Sequence, residues 1–185
     1  MATRATGPED PMTKDEFWEH IRASRRLDPD EHAERLAVRL AKLPTKDILA
    51  FGRWWDTLHR KSYTWKLWGA AYLINGGCSD DGFDYFRDWL LLQGRPTYEA
   101  ALRNPDSLAD VLKGEGEVEA ECNPAYDAYS AATGRGDYYE ALKAQYPKLK
   151  FDMPDLGDGW DFDDDARMRR RYPKLFAAYA VGESD

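Results

Sequence analysis

The residues best placed to do chemistry in this chain gather where two apolar segments meet: Cys78-Ser79-Asp80-Asp81, directly after Asn75-Gly76-Gly77. A thiol beside a helix N-terminus is where thiolate formation is favoured, but the neighbouring aspartates oppose it by charge repulsion. Two adjacent carboxylates are the raw material for acid–base work or for a cationic ligand. Arg87, two turns further on, supplies a fixed positive charge. A second set lies late in the chain, where Asp158, Trp160 and Asp161 belong to a stretch alternating acids with large apolar groups. The expectation is a groove between the two sets, walled by Cys78, Asp80, Asp81, Arg87, Asp158, Trp160 and Asp161. Each set also has a plainer use: Ser79 or Asp80 as a helix cap, and the late acids as partners for the arginines at positions 167–171.

Other combinations carry less. His20, His32 and His59 fall on three separate predicted helices, without the His-x-x-x-His or Glu-x-x-His spacing of a metal site. His59, on the flank of an apolar face, is the one that bears watching. Asp158, Asp161, Asp163 and Asp165 have a calcium-like rhythm, but the twelve-residue loop with its central glycine and terminal glutamate is missing. Arg135-Gly136-Asp137 reads as a turn followed by a cap, and Gly114–Gly116 is too short and acidic to cradle phosphate. No metal and no cofactor is expected.

These residues must be held by helices. Thr64 to Ile74 carries one charge, Lys66, and no polar face, so it belongs inside a bundle. At well under the ~20 residues needed to cross a bilayer, it is no membrane span. Asn75-Gly76-Gly77 ends it, and a second helix over 80–93 presents Phe83, Phe86 and Leu90 as a stripe, with Tyr85, Trp89 and Leu92 one step round. The buried pair 64–75 and 80–93 organises the fold. Before it, Thr13-Lys14-Asp15-Glu16 is a capping box, and Pro29 after Asp28 starts a second helix. Thr45 is the expected cap of a third, carrying Ile48, Leu49, Trp55, Leu58 and His59. After it come short helices around Tyr98, Leu108, Tyr126, Tyr138, Arg169 and Phe176, with Asp137 as the expected cap of the Tyr138 helix. Lys113–Cys122 is an acidic, flexible passage, and 148–163 a long ordered loop. Nothing reads as a strand.

The chain is therefore an all-α, single-domain irregular helical bundle over 12–185, preceded by a disordered leader over 1–11; Met12 could be the original start. Its 185 residues suit one domain with a real core. A net charge of −8 argues against binding nucleic acid through phosphates and suits a basic partner. Two cysteines form neither a metal spacing nor a disulfide framework. With no signal peptide or lipidation motif, a cytoplasmic protein with reduced thiols is expected.

The run Tyr72-Leu73-Ile74-Asn75-Gly76-Gly77-Cys78-Ser79-Asp80-Asp81-Gly82-Phe83, continued by Phe86-Arg87-Asp88-Trp89-Leu90, resembles the bacterial family known as domain of unknown function 4240. Phe17-Trp18, Tyr98-Glu99-Ala100-Ala101-Leu102, Pro105-Asp106-Ser107-Leu108-Ala109 and Gly159-Trp160-Asp161-Phe162-Asp163 resemble it too, so the likeness spans roughly Met12 to Asp165. It implies an actinobacterial-type cytoplasmic protein and no particular activity. From the residues, the leading expectation is a binding or regulatory module whose acidic, aromatic-lined groove takes a peptide, a basic protein or a small cationic ligand. The alternatives are a thiol-dependent or carboxylate-based hydrolase centred on the Gly76–Gly82 corner, and an immunity-type partner of a basic toxin.

Overall fold

A computed structural model describes residues 11–114 and 118–180. The expected leader lies almost wholly outside the described residues, as do positions 115–117 of the acidic passage. Among the described residues there are α-helices, one 3-10 turn and no strand. The helices are α1 (Lys14–Ser24), α2 (Pro29–Leu40), α3 (Thr45–Ser62), α4 (Trp65–Ile74), α5 (Asp80–Leu92) and α6 (Arg95–Arg103), followed by the turn Pro105–Ser107. Then come α7 (Leu108–Leu112), α8 (Pro124–Thr133), α9 (Tyr138–Gln145), α10 (Asp165–Arg171) and α11 (Pro173–Tyr179).

Local chemistry sets most boundaries. Thr13 and Glu16 close the capping box of α1, and Asp28 accepts the Glu31 N–H at the start of α2. Ser79 caps α5 by accepting from Gly82 N–H at 3.1 Å. Two expected caps are corrected. The N-cap of α3 is Pro44, so Thr45 is already helical and makes no cap bond. Asp137 does precede α9, but its carboxylate is drawn instead to the Tyr129 hydroxyl, 2.9 Å away, and to Arg135.

The bundle closes around α3, which packs against α1, α5, α8 and α9, while α4 lies against α5 and α11. Fully buried aromatics carry the core, among them Phe17, Phe51, Phe83, Phe86, Tyr98 and Tyr138. At roughly 25 cal/mol per Å² of apolar surface, burying one such ring contributes on the order of 2–3 kcal/mol. Trp65, Trp68 and Phe83 stack in series, with centroids 5.3 and 4.7 Å apart. The Trp68 indole N–H also donates to the Cys78 carbonyl at 3.0 Å, which fixes the corner between α4 and α5. Gly76 and Gly77, at φ +63° and +133°, supply the turn that a side chain would strain.

The late loop is ordered, as expected, and its anchors are specific. Arg60 Nε donates to the Asp152 carbonyl at 2.8 Å, and the Trp65 indole to the Leu156 and Gly157 carbonyls at 3.2 Å. A Cβ on Gly159 would come within 2.9 Å of that indole, so only glycine lets the loop lie this close. Of the acidic passage, Val118–Cys122 is tied down. Asn75 exchanges hydrogen bonds with Val118 N–H and C=O at 3.0 and 3.2 Å, and Ala120 N–H donates to the Tyr85 carbonyl at 3.1 Å.

Candidate functional site

The residues expected to form one groove are spread over three places. Asp80 and Asp81 are exposed in the first turn of α5, where the helix dipole favours them. Cys78 is half-buried beside them, and burial pushes its thiol up to about 11, so it stays protonated at neutral pH. In the late loop Asp158 is exposed, Asp161 accepts the Asp163 N–H at 2.9 Å in a local turn, and Trp160 lies under the Arg171 guanidinium at 4.1 Å. None of the clefts described here has both sets in its wall. Arg87 alone reaches from the first set to the late loop, and it does so at Met153, whose sulfur lies 3.8 Å from Nη1.

Arg87 is fully buried, an uncommon place for a guanidinium, and its surroundings satisfy it. Nε donates to the Phe83 carbonyl at 3.3 Å, Nη1 to the His59 carbonyl at 2.9 Å, and Nη2 to the Asp84 carboxylate. The guanidinium also sits over the Tyr63 and Phe83 rings at 4.9 and 5.0 Å. Nη1 is 3.0 Å from His59 Nδ1. Arginine can only donate, so Nδ1 accepts and His59 is the neutral Nε2–H tautomer. That N–H points between the Asp84 carbonyl and Asp88 Oδ1, each 3.3 Å away. Burial and the adjacent guanidinium push the imidazole down to about 3. With the ring neutral, the 3.3 Å approach of Nε2–H to Asp88 is not an ion pair.

His59, Asp84 and Asp88 line a cleft of about 480 Å³ between α3, α5 and the segment Glu121–Asn123 that leads into α8. Its walls carry Asp56, Asp84, Asp88, Glu121 and Asp127, with Trp55, Tyr85 and Tyr139 between them. Asp88 accepts hydrogen bonds from Trp55 and from the Cys122 backbone, but burial outweighs both and holds its carboxyl well above the usual range. Asp56 lacks even that help. Its Oδ2 is buried with no hydrogen-bond partner among the described residues, and desolvation pushes its pKa up to about 7. The Tyr138 hydroxyl, also buried and without a partner there, lies against Gly52 one turn earlier on α3. Phe151 of the late loop meets the ring of Tyr139 at 6.5 Å, so the loop borders this cleft.

Asp56, Asp84 and Asp88 are the residues that sequence reasoning missed. A usable signal exists. Asp56-x-x-His59 and Asp84-x-x-Arg87-Asp88 place charged side chains at i, i+3 and i+4, on helices whose other residues on that side are apolar. The cleft's third wall, Glu121 to Asp127, has no such signal, since only tertiary packing brings it near. Among the described residues no group of three or more His, Cys, Asp or Glu side chains is arranged to hold a metal ion.

Helices packed on one aromatic and aliphatic core define a compact all-helical domain; no described helix is long and apolar enough to cross a membrane. The chain belongs to the DUF4240 family: the model of "Protein of unknown function (DUF4240)" matches residues 12–140. That span includes α3, α5 and the cleft they form, and stops before the Gly159–Asp163 turn. No curated protein and no solved structure matches the chain.

Proposed function

We propose that this chain is a binding module whose α3–α5 cleft receives a cationic group, an ammonium or guanidinium, from a basic peptide or protein or from a small polyamine. One observation carries the reading: Asp56 Oδ2 is buried without a hydrogen-bond partner among the described residues, in a cleft lined by four further acids. An unsatisfied buried carboxyl costs free energy that a bound cation would recover. Tyr85 and Tyr139 at the edge add ring faces suited to a guanidinium, and the net charge of −8 would speed the approach of a basic partner. An immunity-type role against a basic protein falls within the same chemistry. The two free cysteines agree with a reducing, cytoplasmic setting in a bacterial, actinobacterial-type cell.

The test is calorimetric titration of the full chain with hexa-arginine and with spermidine, using hexa-glutamate as the control. Binding that weakens with salt and falls at least ten-fold in Asp56→Asn, with an unchanged or higher melting temperature, supports the reading. Equal affinity of Asp56→Asn and the unaltered chain for both cations would falsify it. A second reading, a carboxylate-based hydrolase, draws on the same residue: a carboxyl titrating near 7 in a cleft is poised for acid–base work. It requires turnover that vanishes in Asp56→Asn. The thiol version has less support, given the protonated Cys78.

A further inference from the structure

A second cavity, of about 470 Å³, lies between the second half of α1 and the α5–α6 junction, away from the acidic cleft. Its inner surface is apolar, formed by Trp18, Ile21, Leu92 and Pro96. Three features in its wall call for an acceptor or a negative charge. First, α6 begins at Arg95 with Gly94 as N-cap and no side-chain cap, and none of the described residues accepts from the Arg95 or Thr97 backbone N–H. Second, Trp18 is 5 % exposed, yet its indole N–H has no acceptor among the described residues. Third, among the described residues the Arg25 guanidinium finds a single acceptor, the Gln93 carbonyl, at a long 3.5 Å.

The other charges around the cavity are accounted for. Arg22 is held by Glu19 at 2.6 and 2.8 Å. Arg95 is held by Asp15 at 2.6 Å and by Glu99 at 2.8 Å. His32 bonds the Ile21 carbonyl at 2.9 Å, and burial lowers its pKa, so it adds no charge at neutral pH. Among the described residues that line the cavity, Arg25 is then the cation left to meet a ligand, beside a helix end that favours anions.

We propose that this cavity binds a small organic carboxylate, its head on the α6 N-terminus, Arg25 and the Trp18 indole, its apolar body against Ile21 and Leu92. The volume lies within the range of small-molecule sites. This site is independent of the cation cleft and stands or falls separately.

Proton–nitrogen NMR of the full chain tests it, because the seven tryptophan indoles give their own signals. Sodium octanoate is titrated in parallel with n-octylamine and with sodium phosphate. The expected result is a saturable shift of the Trp18 indole and the Thr97 amide with octanoate, and at least five-fold weaker binding in Arg25→Gln. At matched concentrations, the amine and phosphate leave both signals in place. Arg25 is exposed, so that variant should melt with the unaltered chain. An unmoved Trp18 indole, an equal response to octylamine or to phosphate, or full affinity in Arg25→Gln would overturn the assignment.

Discussion

Asp56 and Arg87 are two ways of burying a charge, and they predict opposite outcomes when removed. Asp56 has its pKa raised from 3.8 to about 7. A raised carboxyl contributes stability that is present below its unfolded pKa and is lost as pH rises through the folded value. Asp56→Asn should therefore stabilise the chain at pH 8 by roughly 1–4 kcal/mol and change little at pH 3, in urea unfolding at each pH. Arg87 is partnered on every side, so its loss leaves the His59 acceptor nitrogen without its donor and takes the guanidinium N–H from the His59 carbonyl. Arg87→Met should cost about 3–5 kcal/mol. His59 shows the reverse sign to Asp56: its depressed pKa contributes stability present above about 6.5 and lost as pH falls toward 3. Nitrogen-15 shifts of the imidazole should report the Nε2–H tautomer at pH 7. A ring that titrates near its ordinary value would contradict the contacts drawn for it.

The helices themselves were mostly legible because their signals are local: the capping box at Thr13, Pro29 after Asp28, and the glycines that end α4. Expectation failed where a side chain had a better offer from tertiary structure, as when Tyr129 and Arg135 take the Asp137 carboxylate. The cleft failed for a related reason. It needs α3, α5 and the Glu121–Asp127 segment in one place, and no spacing within any of them encodes that meeting. Arg87 was singled out from the sequence for its charge, but its burial and its bond to His59 belong to the packed bundle. Close packing of elements makes a sharp prediction at Gly69. A Cβ there would lie 2.6 Å from the Tyr172 hydroxyl, which itself donates to the Lys66 carbonyl at 2.7 Å and ties α4 to the end of α10. Gly69→Ala usually helps a helix by about 1 kcal/mol; here it should destabilise by roughly 2 kcal/mol instead. Gly69→Ala in a Tyr172→Phe background should recover part of that loss in the same unfolding assay.

As a whole the molecule is acidic, and five of its acids line one cleft beside the buried Arg87, while the buried Asp106 serves the fold by accepting the Lys174 and Leu175 N–H groups at the start of α11. A buried carboxyl oxygen without a partner, as at Asp56, lowers stability in a way that a binding site would require and a purely structural core would avoid. Association with a cation should therefore weaken steeply between low and physiological salt. The most direct measurement is a carbon-13 titration of the Asp56 carboxyl, free and saturated with hexa-arginine. The free chain should titrate near 7, and the bound chain at least one unit lower, because the guanidinium favours the ionised form. An Asp56 that titrates near 4 without ligand, or that is unmoved by saturating peptide, would contradict the account.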